Sequence, residues 1–224
     1  MPVVFDGLLH AGTLIVTLLF FRAEIKSILV ALAKLDFKTE NGKLIPLIIV
    51  GTVPTVLIGL LFGDAMDAYF SNLLPIAGAL AVCGFILYGS KFGSENKNGV
   101  SYLDALVIGT VQGIAIIPGL SRSGLTIAVA LMLGIKRGKA FKFSFLLSVP
   151  AIIGALGLTF YNQHETLTVA GVGWTEVFAG ITVSMVVGYV ALKLLRKIVA
   201  DKKFYLFAFY CWLLSIALIL LELI

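Results

Sequence analysis

The fold is decided by residues Leu103–Ile135, which read LDALVIGTVQGIAIIPGLSRSGLTIAVALMLGI. The stretch is apolar on both sides of a central break, Ile117–Gly124, that contains a proline, an arginine and glycines. Arms of about 14 residues cover only about 21 Å as helices, less than the roughly 30 Å of a bilayer core, so two complete spans do not fit well. We therefore predict a re-entrant hairpin, whose two short helices enter the membrane and return to the same side.

The whole chain has the composition of a membrane protein. Hydrophobic residues make up 60% of its 224 residues and charged residues 13%, against about 25% charged in soluble domains. We predict one all-α, multi-pass membrane domain over residues 1–224. Besides the hairpin, its six transmembrane helices are Phe5–Phe21, Leu44–Phe62, Leu73–Tyr88, Phe143–Phe160, Trp174–Leu192 and Phe204–Leu223.

The loops between these spans alternate in charge. Lysine and arginine are concentrated in the connections around residues 22–43, 91–97, 136–142 and 193–203, whereas Gly63–Asn72 and Tyr161–Gly173 contain neither. Basic loops of membrane proteins remain in the cytoplasm, so the net charge of +5 reports topology and does not require a nucleic-acid partner. The pattern is consistent along the chain only if the hairpin enters from the cytoplasm and returns there.

A weak internal repeat relates the two halves of the chain. The similar segments are Gly51–Gly59 with Gly180–Gly188, and Phe5–Gly12 with Phe143–Gly154. Three spans separate the members of each pair, so the copies run in opposite directions, as in inverted-repeat membrane proteins. We predict an incomplete first repeat at residues 1–102 and a second at 103–224, which contains the re-entrant loop 103–135.

The break carries the groups of an anion-binding site. Gly119 and Gly124 free the backbone to turn, while Ser121, Arg122 and Ser123 supply hydroxyl and guanidinium donors. The apolar run from Leu125 to Leu133 predicts a helix whose positive N-terminal end lies next to these donors. An arginine at membrane depth costs about 2.5–3.5 kcal/mol, and Arg122 lies about four helical turns from the nearest flanking basic residue. Phosphate binding explains Arg122 better than a side chain that extends to the interface or pairs with a carbonyl.

Three other polar side chains have two interpretations each. Asp6 and His10 lie four residues apart on one helix face, where they form either a proton relay or metal contact, or an interfacial cap and a histidine bonded within the bundle. Gln112 lies in an apolar arm of the hairpin and either contacts the substrate or bonds across helices. The sequence leaves these alternatives open.

A family resemblance rests on two stretches. They are QGIAIIPGLSRSG at residues 112–124, followed by Thr126, and FSFLLSVPAIIG at residues 143–154. Together they resemble the second signature of the undecaprenyl-pyrophosphate phosphatase family, the bacitracin-resistance membrane enzymes, and the similarity extends over nearly the whole chain. The resemblance implies inverted repeats with paired re-entrant helices in the plasma membrane. It also implies hydrolysis of a polyprenyl diphosphate to the monophosphate lipid carrier used in cell-envelope synthesis.

The resemblance also implies roles for the residues of the break. The predicted catalytic residues are Ser121, Arg122 and Ser123. The predicted phosphate-binding residues are Gly119, Gly124, Thr126 and Gln112. A divalent cation, Mg²⁺ or Ca²⁺, is the cofactor that the family implies, although the sequence itself shows no metal motif. The implied partner is the lipid, with a homodimer as one assembly to test and no nucleic acid.

The family's first signature has no counterpart in the sequence. That signature is a glutamate-rich re-entrant segment that ends in Ser-Ser-Thr-Gly-His, and it should precede Phe5. Either the coding sequence begins further upstream, or this homologue lacks the first re-entrant pair and half of its site. We expect the 224-residue chain alone to bind polyprenyl diphosphate but to hydrolyse it poorly or not at all, whereas a chain extended by the upstream glutamate-rich segment should be active.

Transport is the rival function. Inverted repeats with broken helices also build transporters, so a flippase for an anionic lipid, or a carrier of a small anion, would suit the same pattern. A catalytically impaired homologue that only binds the lipid is a third interpretation.

The predicted topology can be tested by cysteine labelling. In a protein without Cys83 and Cys211, single cysteines at Asn72 and Lys97 should react with an impermeant thiol reagent from opposite sides of the membrane, because only the second lies in a basic loop. Labelling of both positions from the same side would contradict the span count.

Overall fold

The protein is all-helical in the residues that the structure, a computed structural model, describes: 3–69, 72–162 and 174–223. In these ranges the one β-type pairing is an isolated parallel bridge between Lys97 and Ile135. The α-helices are α1 (Val3–Phe20), α2 (Arg22–Ala33), α3 (Leu44–Tyr69), α4 (Leu73–Gly89), α5 (Tyr102–Ile114), α6 (Arg122–Met132), α7 (Arg137–Asn162), α8 (Trp174–Ala200) and α9 (Phe207–Leu223).

Helices occur at each of the six predicted spans, as α1, α3, α4, α7, α8 and α9. Four stretches of the described residues are long and apolar enough to cross a membrane. They are Leu44–Gly63, Leu73–Phe92, Arg137–Leu158 and Phe204–Leu223. The all-helical membrane class is therefore confirmed, while the count of six spans stays a prediction.

The first basic connection contains a helix that the span analysis did not predict. Residues 22–33 form α2, which contains three alanines and two leucines, both good helix formers. Of its residues only Ala31 is buried. The helix is therefore held mainly by its own propensity and by its attachment to α1.

The chain divides into two compact units. The first comprises Met1–Ile45 and Ser148–Leu195, and the second comprises Pro46–Leu147 and Arg196–Ile224. Both units thus combine early and late parts of the chain, so neither coincides with a predicted repeat, and the repeat boundary at residue 102 stays a prediction. The whole PGLSRSG break lies in the second unit.

In the first unit, α1 packs against α8. Gly12 lies so close to Ser184 that a Cβ atom at this glycine would come within 3.3 Å of the serine hydroxyl oxygen. Further along the same pair of helices, the rings of Phe20 and Tyr189 meet edge to face with their centroids 6.0 Å apart. Small and aromatic residues thus alternate along this contact.

In the second unit, α4 and α9 are joined by polar bonds across their contact. The indole nitrogen of Trp212 donates to the carbonyl of Ala81 at 3.2 Å, and the Ser215 hydroxyl donates to the carbonyl of Ala77 at 2.7 Å. Gly84 leaves room for the indole ring of Trp212. Such bonds satisfy polar side chains that would otherwise face hydrocarbon.

Two glycines of α5 bring its backbone against α3. A Cβ atom at Gly109 would collide with the carbonyl oxygen of Gly51, and one at Gly113 would lie 2.8 Å from the Cδ1 atom of Ile58. At the same crossing, the Thr55 hydroxyl donates to the carbonyl of Gly109 at 2.8 Å. The position of α5, and hence of the break that follows it, depends on this close contact.

The connection between α4 and α5 forms hydrogen bonds with the residues that follow α6. These bonds hold the two ends of the α5–α6 segment together. The Lys97 N–H donates to the carbonyl of Gly134 at 2.8 Å, and the Lys136 N–H donates to the carbonyl of Lys97 at 3.1 Å. The Lys97 ammonium group also pairs with Asp104 at 2.8 Å. Since Lys97 is engaged in these contacts, its exposed neighbour Asn98 is the better position for a labelling cysteine.

A second ion pair supports the same end of the segment. The Arg137 guanidinium donates to the Glu95 carboxylate at 2.8 Å, and Lys202 lies 3.6 Å from the same oxygen. Burial alone would raise the pKa of Glu95. However, the hydrogen bond and charge of Arg137, with the charge of Lys202, lower it overall. Glu95 is therefore ionised at neutral pH, and its contribution to stability is lost only as the pH falls through its lowered pKa.

Substitution of Gly109 tests the α3–α5 contact. Gly109→Ala should destabilise the protein by about 1–3 kcal/mol or more, because its methyl group overlaps the Gly51 carbonyl. Gly59→Ala is the matched control, since a Cβ atom at this glycine of α3 would meet no atom within 4 Å. Thermal unfolding in detergent measures both, and equal melting temperatures for the two variants would exclude the contact.

Candidate phosphate-binding site

The break between α5 and α6 is a compact turn. The N–H groups of Ala115, Ile116 and Ile117 donate to carbonyls of the last turn of α5, at 3.0–3.2 Å. Gly119 has a φ of +93°, and a Cβ atom there would lie 2.8 Å from the carbonyl oxygen of Ile76 on α4. Glycine is therefore required at residue 119 both for its conformation and for its close approach to α4.

Ser121 caps α6 and fixes where it begins. Its hydroxyl oxygen accepts a hydrogen bond from the Gly124 N–H at 3.1 Å, the usual bond of a helix N-cap. The helix therefore begins at Arg122, three residues before the predicted start at Leu125, because the serine side chain replaces the missing backbone acceptor. Arg122 and Ser123 occupy the first turn, where backbone N–H groups have no partner within the helix.

The Arg122 side chain is half-buried, and its guanidinium group has no hydrogen-bond or ion-pair partner among the described residues. The carboxylates of Asp104, in the first turn of α5, and of Glu95, which precedes the helix, are engaged by Lys97 and Arg137 respectively. An unpaired, partly buried guanidinium group is costly unless an anion neutralises it. The side chain is thus available to bind one beside the α6 N-terminus.

The remaining residues of the break differ in whether their side chains already form hydrogen bonds. Ser123 is half-buried, and its hydroxyl group has no hydrogen-bond partner within the described part of the chain. The buried hydroxyl of Thr126 already donates to the carbonyl of Arg122 at 3.0 Å. A Cβ atom at Gly124 would lie 2.7 Å from the Ser121 hydroxyl oxygen. A larger residue at this position would therefore displace the capping side chain. The structure brings these residues together in one turn, and their direct contact with phosphate stays a prediction.

Gln112 lies away from the break, in the interior of the second unit. It is 0% exposed. Its amide nitrogen is 3.3 Å from the Thr55 hydroxyl and 3.4 Å from the carbonyl of Leu147. Its amide oxygen and the Ser144 hydroxyl are buried without a partner in the described residues. The structure thus shows Gln112 bonding across helices, and its contact with phosphate stays a prediction.

A metal site is not formed by the described residues alone. Within residues 3–69, 72–162 and 174–223, no three His, Cys, Asp or Glu side chains come together in a way that could hold an ion. The side chains of Asp6 and His10 fall outside what the structure describes. The described donor set at the break consists of hydroxyl groups and N–H groups around a guanidinium cation, which suits an anion and not a divalent cation.

Comparison with known proteins identifies the family. The model of the family described as bacitracin resistance protein BacA matches residues 2–217. The chain belongs to the BacA family. The break thus lies within a family match that extends over almost the entire chain.

Members of the BacA family from several organisms are similar to this chain. The undecaprenyl-diphosphatase of Carboxydothermus hydrogenoformans is 40% identical over 224 residues, which cover 97% of this chain and 82% of that protein. The undecaprenyl-diphosphatase of Halothermothrix orenii is 39% identical, over 96% of this chain and 82% of that protein. A third, from Methanothermobacter thermautotrophicus, is 40% identical over 186 residues, which cover its full length and 80% of this chain.

The contacts of the buried Gln112 amide with other helices were not predicted from the sequence. Thr55 and Leu147, which contact the Gln112 amide, lie in other predicted spans and gave no signal in the apolar sequence around them. Their proximity to α5 depends on the glycine crossing, which is a tertiary contact. Gly51, a small residue in this apolar span, is the feature that points to a close helix contact there.

Substitution of the two serines separates capping from ligand binding. Ser121→Ala should destabilise the protein by about 1 kcal/mol, because the cap is lost, whereas Ser123→Ala should leave stability unchanged. Both should weaken binding of pyrophosphate. Thermal unfolding and pyrophosphate binding in detergent report the two effects, and a Ser123→Ala variant as unstable as Ser121→Ala would contradict this division.

Proposed function

We propose that this chain is a membrane phosphatase that hydrolyses a polyprenyl diphosphate, undecaprenyl diphosphate above all, to the monophosphate. The observation that carries the proposal is the half-buried Arg122, whose guanidinium group has no partner among the described residues, in the first turn of a helix capped by Ser121. Support comes from the relatives, which carry the name undecaprenyl-diphosphatase at 35–40% identity.

The proposed reaction uses the α6 N-terminus as the phosphoryl site. The N–H groups of Arg122 and Ser123 and the positive end of the helix hold the phosphate oxygens. Water attacks the terminal phosphorus, the bond to the bridging oxygen breaks, and inorganic phosphate and polyprenyl phosphate are the products. The Arg122 guanidinium stabilises the negative charge on the transferred group with two parallel hydrogen bonds.

Ser121 and Ser123 act in this proposal as hydrogen-bonding groups. A serine nucleophile needs an adjacent base, and in the described residues neither hydroxyl contacts a carboxylate or an imidazole. The Ser121 oxygen is also committed to the cap. Attack by water is therefore the proposed chemistry, and the described residues do not include the group that accepts its proton.

The proposed membrane arrangement has six spans and a re-entrant hairpin in the plasma membrane. At 1.5 Å per residue, α5 with 13 residues and α6 with 11 residues extend about 20 Å and about 16 Å, which is short of the hydrocarbon thickness. The turn between them rests on Ile76 and Ala79 of α4, and irregular backbone is stable at membrane depth only when protein covers it.

The divalent cation implied by the family resemblance stays a prediction. No step proposed here runs through a metal, since the described residues do not form a site for one. The activity assay therefore compares Mg²⁺, Ca²⁺ and a chelator.

Arg122→Lys tests the phosphoryl clamp. Lysine keeps the charge but cannot form two parallel hydrogen bonds, so phosphate release from polyprenyl diphosphate in detergent should fall by about a hundredfold or more. Arg196→Lys, at an exposed position, is the matched control and should keep full activity.

Each outcome of this assay is informative. Near-normal turnover by Arg122→Lys would contradict the clamp. A wild-type protein that binds the diphosphate without releasing phosphate would instead support the lipid-binding or transport alternatives, and a vesicle translocation assay would separate those two.

A further inference from the structure

An apolar cavity of about 290 Å³ lies beside the tip of the hairpin. Its lining residues are Ile58, Phe62, Ile114, Ile116 and Ile117, so α3 supplies one wall and the end of α5 with the start of the break supplies the other. We name it the tip groove. Phe62 and Ile114 are 48% and 43% exposed, so the groove is open along one side.

The tip groove is continuous with the candidate phosphate site along the chain. Ile117 directly precedes Pro118, and Arg122 follows a few residues later in the same compact turn. In a polyprenyl diphosphate, the first isoprene unit is joined to the phosphate by a single oxygen atom. A lipid whose diphosphate lies at the α6 N-terminus must therefore place its first isoprene units close to the break.

From this continuity we infer that the tip groove holds the isoprene units nearest the diphosphate and selects the lipid by shape. The inference rests on the proposed function, which it deepens by assigning residues to the lipid chain. The volume is at the low end of ligand pockets, roughly 300–1,000 Å³, so the groove takes a short proximal segment and leaves the rest of the tail in the bilayer.

Selection in this groove depends on packing and not on the hydrophobic effect. A prenyl tail leaves an environment of lipid chains that is as apolar as the groove, so burial as such gains little free energy. Four of the five lining residues are isoleucines. Their β-branched side chains are restricted at χ1, so the walls of the groove have a fixed shape. Such walls discriminate a methyl-branched, unsaturated chain from a straight alkyl chain through van der Waals contact.

The test compares two substrates that differ only in tail shape. Wild-type protein should hydrolyse farnesyl diphosphate with a higher kcat/KM than a saturated straight-chain alkyl diphosphate of equal carbon number. Phe62→Ala should reduce this preference by about tenfold, the effect of losing apolar contacts in a pocket. Hydrolysis of methyl diphosphate, which has no tail to place in the groove, should not change.

The control variant is Leu61→Ala, which alters the adjacent residue of α3. Leu61 is 72% exposed and does not line the groove, so this variant should keep the wild-type preference. The inference would be overturned if Phe62→Ala lowered kcat/KM equally for both tailed substrates. It would also be overturned if Leu61→Ala changed the preference as much as Phe62→Ala.

Photolabelling separates failure of this inference from failure of the proposed function. A farnesyl diphosphate that carries a benzophenone on its first isoprene unit needs only to bind, not to be hydrolysed. Labelling at the five lining residues, competed by unlabelled farnesyl diphosphate, supports the groove even if the protein releases no phosphate. Labelling confined to other residues refutes it even if hydrolysis is rapid.

Discussion

The structure depends on the requirement that backbone N–H and C=O groups be satisfied in an environment without water. In the proposed re-entrant arrangement, residues 115–121 leave the helical pattern at membrane depth, where protein must cover them. The turn meets this requirement with its own bonds to the last turn of α5, with the Ser121 cap, and with the approach of Gly119 to α4. The glycine crossing of α3 and α5 holds the turn in place, and the site exists because these contacts permit irregular backbone there.

The base and the tip of the α5–α6 hairpin differ in how far their charged groups are paired. At its base, Lys97 and Arg137 engage Asp104 and Glu95, so the acidic groups of the hairpin region are already neutralised. At its tip, Arg122 has no such partner among the described residues. The field at the tip is therefore positive, and the α6 N-terminus adds to it. An anion that binds there meets donors already in position, which reduces the reorganisation that binding requires.

Sequence patterns predicted the features that depend on local physics. Apolar runs gave the helix positions, and the proline, glycines and serines of PGLSRSG gave the break, because these signals act within a few residues. Other features could not be predicted. The start of α6 at Arg122 depends on the Ser121 side chain, and the burial of Gln112 depends on which face of α5 meets α3. The tip groove combines residues from α3 with residues of the break, which are distant in sequence.

The parallel bridge between Lys97 and Ile135 also bears on the order of folding. Closing a flexible loop of this length costs about 3 kcal/mol of chain entropy, plus a constant. The two main-chain bonds at the base, at about 0.5–1.5 kcal/mol each, offset part of that cost. The bridge thus closes a loop that contains both α5 and α6, and it does so without any contact to the other helices.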